Sequence, residues 1–169
     1  MKKIILATLI LFFSLSISYG QNPNQPFVGT WQWENGSQIF QVKLKLDSEG
    51  DIEGDFCMIQ ENGNGLAPTV IYKSDKDLPY GLKYPSAIRG NSISGIKMGG
   101  FVEDNSSDTA SDWLYGRVEV VIQNNSSGAV TATWKVKRRQ GIRASTDNRT
   151  FNIPTDIVLT KVSNLVIND

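Results

Sequence analysis

The chain has 169 residues, with 17 Lys and Arg balanced by 17 Asp and Glu, no His and a single Cys. A balanced charge argues against nucleic acid as a partner, because such binding needs a strong positive field. The absence of His excludes Ser-His-Asp and Cys-His catalysis as well as imidazole-ligated zinc. Cys57 cannot form an internal disulfide. We therefore expect no enzyme of these classes, no cofactor and no metal, with carboxylate chemistry the one acid–base route left open.

The N-terminus has the pattern of a secretory signal peptide. Two lysines precede an apolar run, Ile4–Ile17, and Ser18-Tyr19-Gly20 supplies small residues before a cleavage site. The run is shorter than the roughly 20 residues that a membrane-spanning helix needs. We predict cleavage after Gly20, a secreted or periplasmic protein without a transmembrane segment, and one domain over residues 21–169.

Turn residues interrupt this domain at short intervals, and the segments between them alternate apolar and polar side chains with period two. No stretch of twelve residues shows a helical period, so we predict little helix. The first predicted strand is Val28–Glu34, at the start of the domain.

The next two strands, Gln38–Leu46 and Asp51–Ile59, are predicted to form a hairpin around the turn cluster Asp47–Gly50. A single register satisfies both the apolar and the charged face, and a slip of one residue would invert both. The predicted pairs are Leu46 with Ile52, Leu44 with Gly54, Val42 with Phe56, Phe40 with Met58, Lys45 with Glu53, and Lys43 with Asp55.

The remaining strands follow with longer loops between them. Gln60–Arg89 is predicted to be long loops around one short strand, and Glu103–Asp112 is predicted to be a polar, mobile loop. The strands predicted in this part of the chain are Val70–Lys73, Ser92–Phe101, Gly116–Gln123, Ala129–Lys137 and Ile157–Val162. About eight strands in an antiparallel meander favour an all-β, up-and-down barrel, which leaves no edge strand; a β-sandwich is the alternative.

The segment Phe27-Val28-Gly29-Thr30-Trp31, together with Gly50–Phe56, resembles the first strands of the calycin barrels, the lipocalins and avidins. Gly36-Ser37 follows as it does in avidin-type barrels, and Leu159–Val162 is similar to their last strand. The resemblance implies a calycin-like barrel with an internal ligand site. The chain also resembles small secreted proteins of Gram-negative bacteria, of families of unknown function, which implies no mechanism.

The resemblance assigns only part of a biotin site to this chain. Ser37 matches the ligand-binding serine of the avidins, but Trp33 stands where they have an asparagine-type ligand and Phe56 where they have a tyrosine. A site built on buried hydrogen bonds loses several kcal/mol when its polar partners become apolar. Biotin is therefore not expected.

Tryptophans are the residues best suited to bind a ligand. A barrel mouth lined by indoles suits a small apolar molecule or a sugar ring. The alternative for Trp31 and Trp134 is that they are core, whereas Trp113 is expected to be the most exposed aromatic. The candidate ligand-binding residues are Trp31, Trp33, Ser37, Trp113, Tyr115 and Trp134.

Two charged clusters have both a structural and a functional interpretation. The acidic run from Asp47 to Asp55 fails the EF-hand pattern and is better explained as a paired, solvated face. The loop acids that could hold calcium are Glu103, Asp104, Asp108 and Asp112. The basic residues that could attract anionic glycans or lipid head groups, or simply form a charged rim, are Lys135, Lys137, Arg138, Arg139, Arg143 and Arg149.

Three functions follow, and the oligomeric state stays open. The leading hypothesis is a secreted, non-enzymatic protein that binds a small apolar or sugar-like ligand, such as a glycan, in a barrel. The second is an envelope structural or interaction protein with a filled core. The third is a glycoside hydrolase with two carboxylates, which must lie about 5–10 Å apart in a cleft.

Overall fold

A computed structural model describes residues 22–124, 128–139 and 147–166. The predicted signal peptide lies outside this range, as do turn residues 125–127 and Arg143. The strands are β1 (Gly29–Asn35), β2 (Gln38–Leu46), β3 (Ile52–Gln60), β4 (Thr69–Lys73), β5 (Ile88–Ser94), β6 (Lys97–Asp104), β7 (Leu114–Asn124), β8 (Val130–Arg138) and β9 (Asp156–Ser163). Three single-turn 3-10 helices are Gln25–Phe27, Pro79–Gly81 and Ala110–Asp112. Among these residues, no helix has the length and apolarity to cross a membrane.

Eight antiparallel strands close into a barrel, which confirms the barrel rather than the sandwich. The closure runs from β1 through β2, β3 and β5–β9, and β9 pairs with β1 again. Strand β4 lies outside the barrel and pairs, among the described residues, with the C-terminal half of β3. One end of the barrel has the short β2–β3 and β5–β6 turns. The other, here called the loop end, has the long loops before β5, β7 and β9.

The predicted β2–β3 hairpin is confirmed in every pair. On its outer face Lys45 Nζ lies 3.0 Å from Glu53 Oε1. Lys43 lies opposite Asp55, and Asp55 Oδ1 also accepts a hydrogen bond from Ser74 Oγ at 2.8 Å. The β7–β8 hairpin also has the predicted faces, with Val120 and Trp134 paired among others.

The prediction of one strand over Ser92–Phe101 was wrong, because this segment is a hairpin. It holds the end of β5, a turn at Gly95-Ile96 and the first part of β6. Two inward positions on these strands are Gly90 and Gly100, so the apolar alternation that marks a strand is interrupted. The turn contains the apolar residue Ile96, so the sequence pattern does not mark it as a turn.

One end of the barrel is closed by the N-terminal 3-10 turn. Phe27, the last residue of this turn, is fully buried against the core. The indole Nε1 of Trp31 donates a hydrogen bond to the Phe27 carbonyl at 2.8 Å, so the strand that begins the barrel also holds its cover.

The loop end is closed in the same way by the segment that precedes β9. Ile153 of this segment is buried in the core. The indole Nε1 of Trp134 donates to the Pro154 carbonyl at 2.9 Å. Asp104 Oδ2 accepts from the backbone N–H of Asn152 at 2.6 Å and of Ile153 at 3.3 Å, which fixes the segment over the barrel.

Between the two covers, the interior is packed with side chains. Phe40 lies at the centre, with ring centroids 6.1 Å from Trp134 across the barrel and 6.0 Å from Phe56. The largest fully buried side chains are Trp31, Trp134, Phe27, Phe40, Leu44, Ile52, Ile88, Met98, Leu159, Val42, Val102 and Val120. Aromatic side chains that face inward on several strands therefore form a core.

Neighbouring strands approach each other closely where glycines face inward. A Cβ added to Gly100 would lie 2.2 Å from the carbonyl oxygen of Arg89, and one added to Gly54 would lie 2.2 Å from that of Lys43. Both contacts are with backbone, which cannot move aside as a side chain can. Hydrogen at these positions is what allows the strands to approach so closely.

We expect Gly100→Ala to lower the free energy of unfolding by about 1–3 kcal/mol, because the methyl group overpacks against a paired strand. Urea unfolding followed by tryptophan fluorescence measures the loss. Gly95→Ala is the matched control, since nothing lies within 4 Å of a Cβ at that position. Equal stability of the two variants would contradict the steric role of glycine at this close strand approach.

Candidate functional site

The two tryptophans predicted to line a barrel mouth are inside the core. Trp31 and Trp134 have no exposed surface, and both indole N–H groups are bonded to backbone carbonyls. This is the core alternative raised by the sequence. A ligand contact at either residue stays a prediction, and it would require the packed covers to move.

Trp33 and Ser37 lie at the loop end. Trp33 is half-buried and packs against the core. Ser37 is in the exposed turn between β1 and β2, where its Oγ accepts a hydrogen bond from Gln60 Nε2 at 2.6 Å. Strands β9 and β8 separate these residues from Trp113 and Tyr115, so the structure does not bring the six candidates together.

Trp113 and Tyr115 belong to a surface cluster that sequence reasoning found only in part. Trp113 was expected to be the most exposed aromatic, but it is half-buried. Its indole Nε1 donates to the Ser107 carbonyl at 2.8 Å, and its ring packs edge-on against Tyr84, with centroids 5.1 Å apart. Tyr115 is 57% exposed on β7. The loop before β7 therefore leaves Trp113 half-buried and Tyr115 open to solvent.

A carboxylate joins the aromatic residues. Tyr84 Oη lies 3.2 Å from both carboxylate oxygens of Glu103. Tyr115 lies directly opposite Glu103 in the pairing of β6 with β7. We call Tyr84, Glu103, Trp113 and Tyr115 the aromatic cluster. It combines exposed ring surface with a carboxylate that accepts hydrogen bonds.

The cluster changes the acidity of both phenols. The hydrogen bond to Glu103 is the main cause that raises the pKa of Tyr115 to about 12, with burial next. The pKa of Tyr84 is raised first by burial and then by the charge of Glu103. Both hydroxyls therefore stay protonated at neutral pH, where they serve as donors.

The other loop acids serve structural roles. Asp104 follows Glu103 on β6, so it faces inward, where it accepts the two backbone hydrogen bonds that hold the loop-end cover. Asp108 Oδ1 lies 3.1 Å from Lys76 Nζ. Within the described ranges, no group of three or more His, Cys, Asp or Glu is placed to hold a metal. Strand β6 thus places Glu103 and Asp104 on opposite faces.

In the basic C-terminal third, an acidic residue forms ion pairs with two of the arginines. Asp147 is ion-paired with both Arg138 and Arg149, with 2.9 Å from its Oδ1 to Arg149 Nε. The two guanidinium groups, Arg149 first, lower the pKa of Asp147 well below its ordinary value. Lys135 and Lys137 lie instead on the outer face of β8.

We expect Glu103→Gln to return the pKa of Tyr115 toward the ordinary tyrosine value of about 10, since the carboxylate that opposes its ionisation is gone. In the wild type, the protonated Tyr115 hydroxyl contributes to the stability of the folded protein through Glu103. This contribution is complete below pH 10 and is lost as pH rises toward about 12, because the pKa of Tyr115 is higher in the folded state than in the unfolded state. Tyrosinate absorbance, taken as the difference between each protein and its Tyr115→Phe form, measures the pKa.

The matched control for this titration is Glu119→Gln on the same face of β7. The Glu119 carboxylate is bound by Lys97 Nζ at 2.7 Å, so its loss leaves the tyrosines unchanged. An unaltered Tyr115 pKa in Glu103→Gln would contradict the hydrogen bond on which the cluster is built.

Comparisons of the chain with protein-family models, curated proteins and solved structures found no match. The resemblance of its first strands to calycin barrels therefore stays a prediction from sequence.

Proposed function

We propose that this chain is a secreted, non-enzymatic protein that binds a sugar-like ligand on the outer wall of its barrel, at the aromatic cluster. The observation that carries the proposal is the pairing of Tyr115, which is largely exposed, with a carboxylate that Tyr84 also binds. Secretion rests on the N-terminal pattern of residues 1–20.

The chemistry of the cluster suits a carbohydrate. An aromatic face packs on the apolar C–H face of a pyranose ring, while a carboxylate and phenol hydroxyls exchange hydrogen bonds with its hydroxyl groups. Tyr115 offers the open ring face, and Glu103 offers the acceptor beside it. Phe101, also 57% exposed, lies one diagonal step away on β6 and extends the apolar surface.

A site on the outer wall agrees with the packed interior better than an internal site does. The space between Trp31 and Trp134 is occupied by Phe40 and its neighbours, and both ends are covered. The same observation favours the second candidate, an envelope interaction protein with a filled core. The two candidates differ in the partner, a glycan in one case and a protein in the other.

Affinity electrophoresis of the purified protein through gels that contain neutral or charged polysaccharides tests the proposal. We expect retardation by at least one polysaccharide, and we expect Tyr115→Ala to weaken it by about fivefold to tenfold, because the stacking face is lost. The single variant Glu103→Gln is also expected to weaken the retardation, because a charged carboxylate acceptor is replaced by a neutral amide.

Tyr80→Asn is the control, since Tyr80 is fully exposed in the loop before β5 and its φ of 67° is one that Asn tolerates. It should leave the mobility unchanged. Retardation by no polysaccharide, or equal retardation of the Tyr115→Ala and wild-type proteins, would reject the proposal. Specific capture of one envelope protein that depends on Tyr115 would support the second candidate in its place.

A further inference from the structure

A row of three cationic side chains and one phenylalanine crosses the outer wall next to the aromatic cluster. Arg89, Phe101, Arg117 and Lys137 are direct neighbours on β5, β6, β7 and β8. All four are exposed. We call them the basic row. It adjoins the pair formed by Glu103 and Tyr115, which lies two residues along the same strands.

The basic row places like charges side by side. Arg117 and Lys137 are directly opposite each other in the β7–β8 pairing. Such a pair destabilises a sheet, whereas an opposite-charge pair at the same place would stabilise it. Within the described part of the chain, neither residue has an ion-pair partner, although the hairpin on β2 and β3 shows that this sheet does pair its charges.

The acids around the row are already bound to other groups. Glu119, two residues from Arg117 on the same face, is bound by Lys97 Nζ at 2.7 Å. Glu53, opposite Arg89, is bound by Lys45 Nζ at 3.0 Å. Glu103 is held by the tyrosines. Glu119 is near enough for the charge of Lys137 to contribute to its lowered pKa, but the ion pair it forms is with Lys97. The exposed N–H donors of Arg117 and Lys137 are therefore open to a ligand outside the chain.

A groove of about 550 Å³ on the other side of Phe101 separates this field from the acidic turn between β2 and β3. Four acids, Asp47, Glu49, Asp51 and Glu53, line that groove against a single cation, Arg89, so an anion approaching from the β3 side meets net negative charge. An anionic group is thus directed to the β7–β8 side of Phe101, where Arg117 and Lys137 lie.

We infer that the ligand of the proposed site is an anionic glycan whose carboxylate or sulfate group binds between Arg117 and Lys137 while a sugar ring lies on Phe101. This inference rests on the proposed function and adds the charge of the ligand to it. Neighbouring strands lie about 4.8 Å apart, so the point between the two cations is about 7 Å from Phe101, a distance that one or two sugar units of a single chain can span. An aromatic face flanked by cations favours a charged sugar over a lipid surface, because only one large apolar side chain is exposed in the row.

Two matched pairs of polysaccharides test the inference. Polygalacturonate is compared with its methyl ester, and dextran sulfate with dextran, so that the rings stay the same and the charge is removed. We expect the charged member of at least one pair to bind more than about tenfold tighter, in proportion to one or two charge-assisted hydrogen bonds. Added salt should reduce this preference.

The variant Arg117→Gln with Lys137→Gln should reduce affinity for the charged polymer about tenfold and leave any affinity for the neutral one unchanged. The control Lys73→Gln with Lys83→Gln removes the same charge from exposed positions on β4 and in the loop before β5, and it should change affinity less than about twofold. Unfolding by urea confirms that both double variants are folded.

The other outcomes separate this inference from the proposed function. Equal binding of charged and neutral polymers, with Tyr115→Ala still weakening both, would overturn the inference and leave the proposed function standing. Binding of no polymer would overturn both. Tighter binding of single-stranded DNA or of phosphatidylglycerol vesicles than of either charged polysaccharide would assign the row to a different class of ligand and overturn the inference.

Discussion

Two hydrogen bonds from buried indoles to backbone carbonyls attach the segments that cover the two ends of this barrel to its core. Trp31 bonds to the segment that covers one end, and Trp134 bonds to the segment that covers the other. Each indole contributes a large apolar surface to the core and satisfies a carbonyl that burial would otherwise leave without a partner. Because both covers are attached to core side chains, the interior is a packed core rather than an open cavity.

Because the barrel is closed and its interior is filled, the aromatic surface that a ligand could reach lies on the outer wall. Inward glycines such as Gly100 on β6 and Gly116 on β7 allow close approaches that a Cβ would block. On the opposite face the same strands leave Tyr115 and Phe101 open to solvent. Close strand packing inside and exposed aromatic surface outside thus occur together on β6 and β7.

The fold could be predicted well where two patterns agreed. The β2–β3 hairpin was predicted pair by pair because its apolar face and its charged face demand the same register. The β5–β6 hairpin was missed because glycines occupy inward positions and an isoleucine lies in the turn. Where packing depends on the absence of a side chain, alternation gives no signal.

The candidate site was predicted in part for a similar reason. Trp113 and Tyr115 were found because they are aromatic and follow a polar loop. Tyr84 was missed because it comes from a distant loop. Glu103 was considered only as a calcium ligand, because only the register of β6 with β7 brings its carboxylate to Tyr115. The opposite orientations of Glu103 and Asp104 likewise became clear only once that register was known.

The pairing of β1 with β9 also determines how the molecule is presented to its surroundings. Thr30 Oγ1 donates to the Leu165 carbonyl at 2.9 Å, so the first and last strands meet at the end of the barrel opposite the long loops. A tether or fusion partner joined at either terminus would hold the barrel by its base. The aromatic cluster lies near the loop end of the barrel, away from such a support, where it would be free to meet a polymer in the medium.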